Sequence, residues 1–188
     1  MSESDAALLG RSANGDATAF EHFVDRHQAS VFSLLTHLAR DRADAEDALQ
    51  EAFASAWAAA GSFRGSESAR AWILTIARHA LSRQRRRRVG EPLDYEPLDS
   101  LEALGLRAGW GAVERPDTLL DRLADRELVE RALASLPAEE REVVLLRDVE
   151  QLPGGEVAGM VGITLAAMKS RLHRGRLRLA AAIREEAS

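Results

Sequence analysis

Arginine gathered into two acid-free runs is the chemistry this chain concentrates. Residues 71–88 carry Arg78, Arg83, Arg85, Arg86, Arg87 and Arg88 and no acid. Residues 165–180 carry Lys169, Arg171, Arg174, Arg176 and Arg178, again without an acid. The whole chain of 188 residues nevertheless sums to −5, so positive charge is set apart from a negative remainder. Guanidinium groups neutralise phosphates and fork onto guanine edges, and two such runs suit a protein that grips nucleic acid in two places. A solvated helix face with an arginine-rich end is the plain alternative for either run.

Other reactive constellations do not assemble. There is no cysteine, which removes disulfides, thiolate metal sites and a cysteine nucleophile together. No glycine-rich phosphate loop with its lysine and no Gly-x-Ser-x-Gly elbow occurs. His22, His27, His37, His79 and His173 are scattered, and Asp44, Glu46, Asp47 and Glu51 do not all share a helix face. The expectation is a binding protein with no enzymatic activity, no cofactor and no metal.

The elements that must carry the arginines are helical. Hydrophobic residues make up 46% of the chain but aromatics only 5%, and strand-type alternation is hard to find, so an all-α fold is expected. No apolar run reaches membrane-spanning length, and residues 1–15 lack the order of a signal peptide, which places the protein in the cytosol.

Composition divides the chain into a helical segment 5–88, a linker 89–117 and a helical segment 118–188. Asp16 caps a helix whose apolar steps run from Phe20 to Leu38, and Asp44 is taken as the cap of a second over Ala45–Ala59. A loop at Gly61–Ser66 precedes a third from about Ser68 into the arginine run. The linker holds three prolines, four glycines and seven acids, with Trp110 unusually placed between two glycines and one short helix expected at Leu101–Leu104. Past it, leucines from Leu119 to Leu136 form a helix stopped by Pro137, and Ala138–Val149 forms the next. Two short helices, about Gly155–Val161 and Leu165–Ala182, are separated only by Gly162, Ile163 and Thr164. That is helix-turn-helix spacing, with Gly162 ending one helix and Thr164 capping the other.

On the last helix, Leu165, Met168, Leu172, Gly175 and Leu179 share a core stripe. Lys169, Ser170, Arg171, His173 and Arg174 then face outward, as a major-groove reader requires. On the helix from Ala45, residues Ala45, Leu49, Ala52 and Ala56 face inward. Asp47, Gln50 and Glu51 stand opposite with Trp57 at the edge, as either a protein-docking patch or a solvated face. On the third helix, Trp72, Ile76, His79 and Arg83 lie along one edge. Trp72 there is either a stacking platform for an unpaired base or an ordinary core residue.

Asp44-Ala45-Glu46-Asp47-Ala48-Leu49-Gln50-Glu51-Ala52-Phe53 with Trp57, and Ala71-Trp72-Ile73-Leu74 through Arg78, resemble two segments of bacterial extracytoplasmic-function sigma factors, a group of the sigma-70 family. Leu136-Pro137-Ala138-Glu139-Glu140-Arg141-Glu142-Val143 and Met168-Lys169-Ser170-Arg171-Leu172-His173-Arg174 are similar to its C-terminal promoter-binding domain. The resemblance implies that Asp47, Gln50, Glu51 and Trp57 meet core RNA polymerase. It implies that Ser62, Phe63, Arg64, Trp72, His79 and Arg83 hold the melted −10 strand. Lys169, Ser170, Arg171, His173 and Arg174 would lie in the major groove of the −35 element. Core RNA polymerase, promoter DNA and an anti-sigma protein are the implied partners, and the linker would thread through the polymerase. His79 stands where members often carry Asn, and Leu165-Ala166-Ala167-Met168 replaces a more usual Val-Gly-Thr-Val. A stand-alone helix-turn-helix regulator dimerising through residues 5–88 is the alternative function.

Overall fold

A computed structural model describes residues 3–65, 68–89 and 126–186. Ser66, Trp110, the helix expected at Leu101–Leu104, the leucines from Leu119 to Leu123 and nearly all of the linker lie outside these residues. The chain divides into two compact units, Met1–Tyr95 and Glu96–Ser188. The described residues are helices and their connections, without a strand.

The first unit contains α1 (Asp5–Ser12), α2 (Ala17–Leu38), α3 (Arg42–Ala59), a 3-10 turn (Ala60–Ser62) and α4 (Ala69–Val89). Each of the four α-helices starts with a side-chain cap that accepts an otherwise unpaired N–H. Ser4 accepts from Ala7 at 3.3 Å, Asp16 from Ala19 at 3.0 Å and Ser68 from Ala71 at 3.4 Å. The cap of α3 is Asp41, which accepts from the Asp44 N–H at 2.9 Å, not Asp44 as expected. Both aspartates are capping types, but Asp44 is buried inside the first turn, and only Asp41 has the extended backbone a cap needs. The N–H of Ala19, and then Arg11, hold the Asp16 carboxyl below its ordinary range.

Small side chains set the packing of this unit. Ala45, Ala48, Ala52 and Ala56 of α3 are fully buried, which lets neighbouring helices approach closely. Leu49, expected on that side, is only half-buried. Against α3 lies α4, whose first half is enclosed on all sides: Trp72, Ile73, Leu74, Ile76, Ala77, Ala80 and Leu81 are each at most 5% exposed. A helix buried all round shows no clean apolar stripe. Its arginine-rich second half emerges from the core, and Arg85 donates to the Leu38 carbonyl at the end of α2.

The second unit contains α5 (Arg126–Ser135), α6 (Ala138–Val144), a π turn (Leu145–Val149), α7 (Gly154–Met160) and α8 (Leu165–Glu186). The single helix expected over Ala138–Val149 therefore changes pitch at Leu145. The Glu150 N–H reaches back five residues to the Leu145 carbonyl at 2.9 Å, the spacing of a π turn. Gly162 adopts φ +69, where a β-carbon would be strained. Around it the Ile163 N–H bonds the Ala158 carbonyl at 3.0 Å and the Gly162 N–H that of Gly159 at 3.2 Å. This paired closure satisfies the last carbonyls of α7. Thr164 then accepts from the Ala167 N–H at 3.2 Å and starts α8.

Met168, Leu172, Gly175 and Leu179 form the buried stripe of α8, whereas Leu165, expected there, is 37% exposed. At Gly175, α8 lies close against α6. A β-carbon on it would stand 2.8 Å from Val144 Cγ2 and 3.3 Å from the Glu140 carbonyl oxygen.

Candidate nucleic-acid and partner interfaces

The α3 face opposite the alanines divides into an open part and a committed part. Asp47 and Gln50 are exposed. Glu51 is not a loose acid: its Oε1 accepts from Arg83 Nε at 2.8 Å, and its Oε2 lies 3.7 Å from Arg87 Nη1. Trp57 is 38% exposed, with its ring edge-on to Phe20 at 5.1 Å, and Phe20 lies 6.4 Å from Phe53. The aromatic edge read from one tryptophan is thus a corner of three rings. Phe53 and Trp57 are four residues apart, so that pair was readable; the arrival of Phe20 from α2 was not.

Around the loop after α3, Ser62 Oγ donates to the Ala59 carbonyl at 2.7 Å, and Arg64 is exposed. Trp72 resolves as a core residue, 5% exposed, with Phe23 at 6.3 Å and Phe63 at 5.5 Å. It therefore offers no open ring face for a base, because α4 is enclosed on all sides at this level. Phe63 is the half-buried ring at the rim. His79 is half-buried. Arg83, placed with the DNA contacts, is 32% exposed and held between Glu51 and Ser55, with Ser55 Oγ at 3.4 Å.

The acid-free run of α8 meets its acids in space. Arg171 Nη2 lies 2.8 Å from Glu139 Oε2. Arg174 and Arg178 both converge on Glu140, at 3.3 and 2.8 Å. Arg176 forks onto Asp148 of the π turn at 2.9 and 2.5 Å, a pairing that raises its guanidinium pKa. The Glu140 and Asp148 side chains are 8% and 9% exposed, but Glu139 is 74% exposed. A carboxylate so exposed holds an arginine by about 1 kcal/mol or less, so Arg171 can be exchanged onto a phosphate. Lys169, Ser170 and His173 are exposed, and Ser170 Oγ accepts from Arg174 Nη1 at 2.9 Å. Among the described residues, Lys169 is the cation of this run that carries no ion pair. The three acids were missed in the sequence because each lies at least 28 positions from its arginine.

A helix-turn-helix unit whose last helix exposes Lys169, Ser170 and His173, and a separate helical unit bearing an acidic and aromatic face, suit a DNA-binding protein that docks on another protein. Profiles of the families Sigma-70 region 2 and Sigma-70, region 4 match residues 23–90 and 126–179. The ECF RNA polymerase sigma factor SigM of Mycobacterium tuberculosis is 33% identical over 180 residues, covering 94% of this chain and 83% of SigM. The ECF RNA polymerase sigma-E factor of Escherichia coli is 31% identical over 182 residues, covering 94% of this chain and 93% of that protein. The chain belongs to the extracytoplasmic-function sigma factors of the sigma-70 family.

Solved structures share its fold. CnrH, determined in complex with the cytosolic domain of CnrY, matches with a TM-score of 0.65 at 21% identity, over 97% of this chain and 99% of CnrH. RpoE of Bartonella quintana, determined with the anti-sigma factor NepR, matches with 0.65 at 23% identity, over 88% of this chain and 96% of RpoE. No helix among the described residues is long and apolar enough to cross a membrane.

Proposed function

We propose that this sigma factor works without enzymatic activity, in the cytoplasm, by linking core RNA polymerase to promoter DNA through three surfaces. Asp47, Gln50 and the Phe20, Phe53 and Trp57 corner form the polymerase-docking face, with carboxylates for basic partner residues and rings for an apolar contact. Phe63 and Arg64 take the melted −10 strand, one as a stacking ring and the other as a phosphate partner. Ser62, in the turn before Phe63, and His79, half-buried on α4, are assigned to the same strand. Lys169, Ser170 and His173 read the −35 duplex, with Arg171 and Arg174 beside them for phosphates.

The observation that carries this reading is the open face of the first three turns of α8, with Lys169, Ser170 and His173 exposed behind the Thr164 cap. An anti-sigma protein is a further proposed partner, supported by the complex in which RpoE was solved. Transcription in vitro tests the whole. Core polymerase with this protein should initiate from a subset of a promoter-fragment pool, and Asp47→Lys should abolish both core-enzyme pull-down and transcript. Duplex binding at a palindromic site without polymerase, undiminished by Asp47→Lys, would instead favour a stand-alone regulator.

A further inference from the structure

The first helix lies outside the region that the family profile matches, which begins at residue 23, yet it packs on two elements at once. Its Leu8 and Leu9 are fully buried, against α2 and against the 3-10 turn Ala60–Ser62. At its first turn the Asp5 carboxylate spans α2: Oδ2 lies 2.8 Å from His27 Nε2 and Oδ1 lies 2.8 Å from Arg26 Nη1. His27 is 8% exposed, so this anion is the polar anchor of a ring otherwise packed in the core.

Two physical routes lead from that anchor to the loop at Gly61–Gly65. One is a train of rings. His27 meets Phe23 at 4.6 Å with the rings tilted, Phe23 meets Trp72 at 6.3 Å, and Trp72 meets Phe63 at 5.5 Å. The other is direct. A methyl group on Gly61 would stand 3.7 Å from Ala13 Cβ, and one on Gly65 would stand 3.9 Å from Ala6 Cβ. The turn that opens the loop therefore packs on α1, Ala6 and the cap residue Ala13 face the open sides of Gly65 and Gly61, and the loop's central ring rests on the residues α1 pins. Packed side chains transmit a displacement because interiors are close-packed and do not deform smoothly.

We propose that α1 is a positioning element for the loop at Gly61–Gly65, with Asp5 as its pin, and that it thereby sets which −10 base the loop accepts. The second half of this statement rests on the assignment of that loop to the melted strand. Asp5 touches no DNA in this scheme; it acts through His27 and the rings behind it. A chain that altered α1 could retune base choice without altering the loop itself.

The test uses the full chain with Asp5→Asn, and separately Ala6→Val, which keeps the Asp5 pairs and adds bulk toward Gly65. Amide hydrogen exchange is followed over residues 60–65 and over α4, and thermal unfolding is recorded. Transcripts are then measured with core polymerase from two promoter fragments differing at one −10 base. Exchange over 60–65 should rise in Asp5→Asn while α4 stays protected. The transcript ratio should shift by roughly 2- to 30-fold, the span that substitutions along a packed network impose on a distant site. A purely structural loss would lower both transcripts together and leave their ratio unmoved. If Asp5→Asn loosens the whole unit, Ala6→Val decides, since Ala6 is exposed. Unchanged exchange over 60–65 in Ala6→Val and in a folded Asp5→Asn overturns the positioning role. Altered exchange with an unmoved ratio overturns the claim that α1 sets base choice; the ratio in Phe63→Ala, which moves only if the loop takes the strand, then tells that failure from a failed assignment of the loop.

Discussion

Arg83 Nε donates to Glu51 Oε1 at 2.8 Å across 32 positions of sequence, tying the acidic face of α3 to the arginine end of α4. The two residues are expected on different surfaces, one facing polymerase and the other DNA. With side chains 27% and 32% exposed, the pair is neither a solvated ornament nor a buried charge. A double-mutant cycle of Glu51→Gln and Arg83→Ala, read by urea unfolding, should give a coupling of about 0.3–1 kcal/mol. Zero coupling would mean that the two side chains act separately. Glu51→Lys is predicted to lose more stability than Glu51→Gln, since it sets a cation against Arg83 and Arg87. Polymerase binding lost in Glu51→Lys is therefore not by itself evidence of direct contact, and Asp47 is the cleaner position to reverse.

If Arg171 holds a phosphate as proposed, Glu139 competes with DNA for it. The acid is 74% exposed and 2.8 Å from the guanidinium, so its removal should release a cation toward phosphate. Promoter affinity of the Glu139→Gln holoenzyme should rise at low salt. Its salt dependence should steepen by about 0.9 in the logarithmic slope, the value for one added phosphate contact on duplex DNA. A slope and an affinity both equal to the wild type's across a potassium chloride titration would place Arg171 away from the backbone.

What the sequence showed and what it hid follow from the range of each interaction. Helices, caps and the turn at Gly162 and Thr164 are local, and Asp16, Gly162 and Thr164 stand where their residue types indicate. The cap of α3 moved to Asp41 because two aspartates three positions apart compete, and only burial of the second decides between them. Trp72 was ambiguous because a helix enclosed on all sides carries no period to say which edge is open. The partners of Arg171, Arg174, Arg176 and Arg178 were invisible because they come from α6 and the π turn, brought near only by the fold. Gly175 looked like one more small core position. Its need is the 2.8 Å approach that a β-carbon would make to Val144.

The Asp16 cap gives α2 a pH dependence whose sign is fixed. The Ala19 N–H and Arg11 stabilise the ionised carboxyl and lower its pKa from the ordinary 3.8. A carboxyl so lowered contributes stability that is fully present above its unfolded pKa and is lost as pH falls through the folded one. Asn caps nearly as well but does not titrate. The stability advantage of wild type over Asp16→Asn should therefore shrink as pH falls below 3.8, and stay constant above about pH 5, where both forms of the aspartate are ionised. Chemical denaturation at a series of pH values measures the difference, and a constant difference throughout would remove the charged cap from the account.

On the proposed reading, Lys169 and Arg174 divide reading from holding on the same helix. Lys169 is exposed with no ion pair among the described residues, one turn into α8 behind the Thr164 cap. Arg174 shares the buried Glu140 carboxylate with Arg178 and donates to Ser170. Lys169→Ala should weaken −35 binding by about 1–3 kcal/mol, with the loss concentrated at one base position and little change in melting temperature. Arg174→Ala strips Glu140 of one of two cations in a site only 8% exposed. Its effect should therefore appear in unfolding, at roughly 1–3 kcal/mol, and as a DNA loss spread evenly over sequences. Binding to a panel of single-base −35 variants, set beside thermal melts of each protein, distinguishes the two. If Arg174→Ala leaves the melt untouched and erases preference at one base, then the guanidinium leaves Glu140 to read DNA, and the division of labour on α8 is the reverse of the one drawn from its ion pairs.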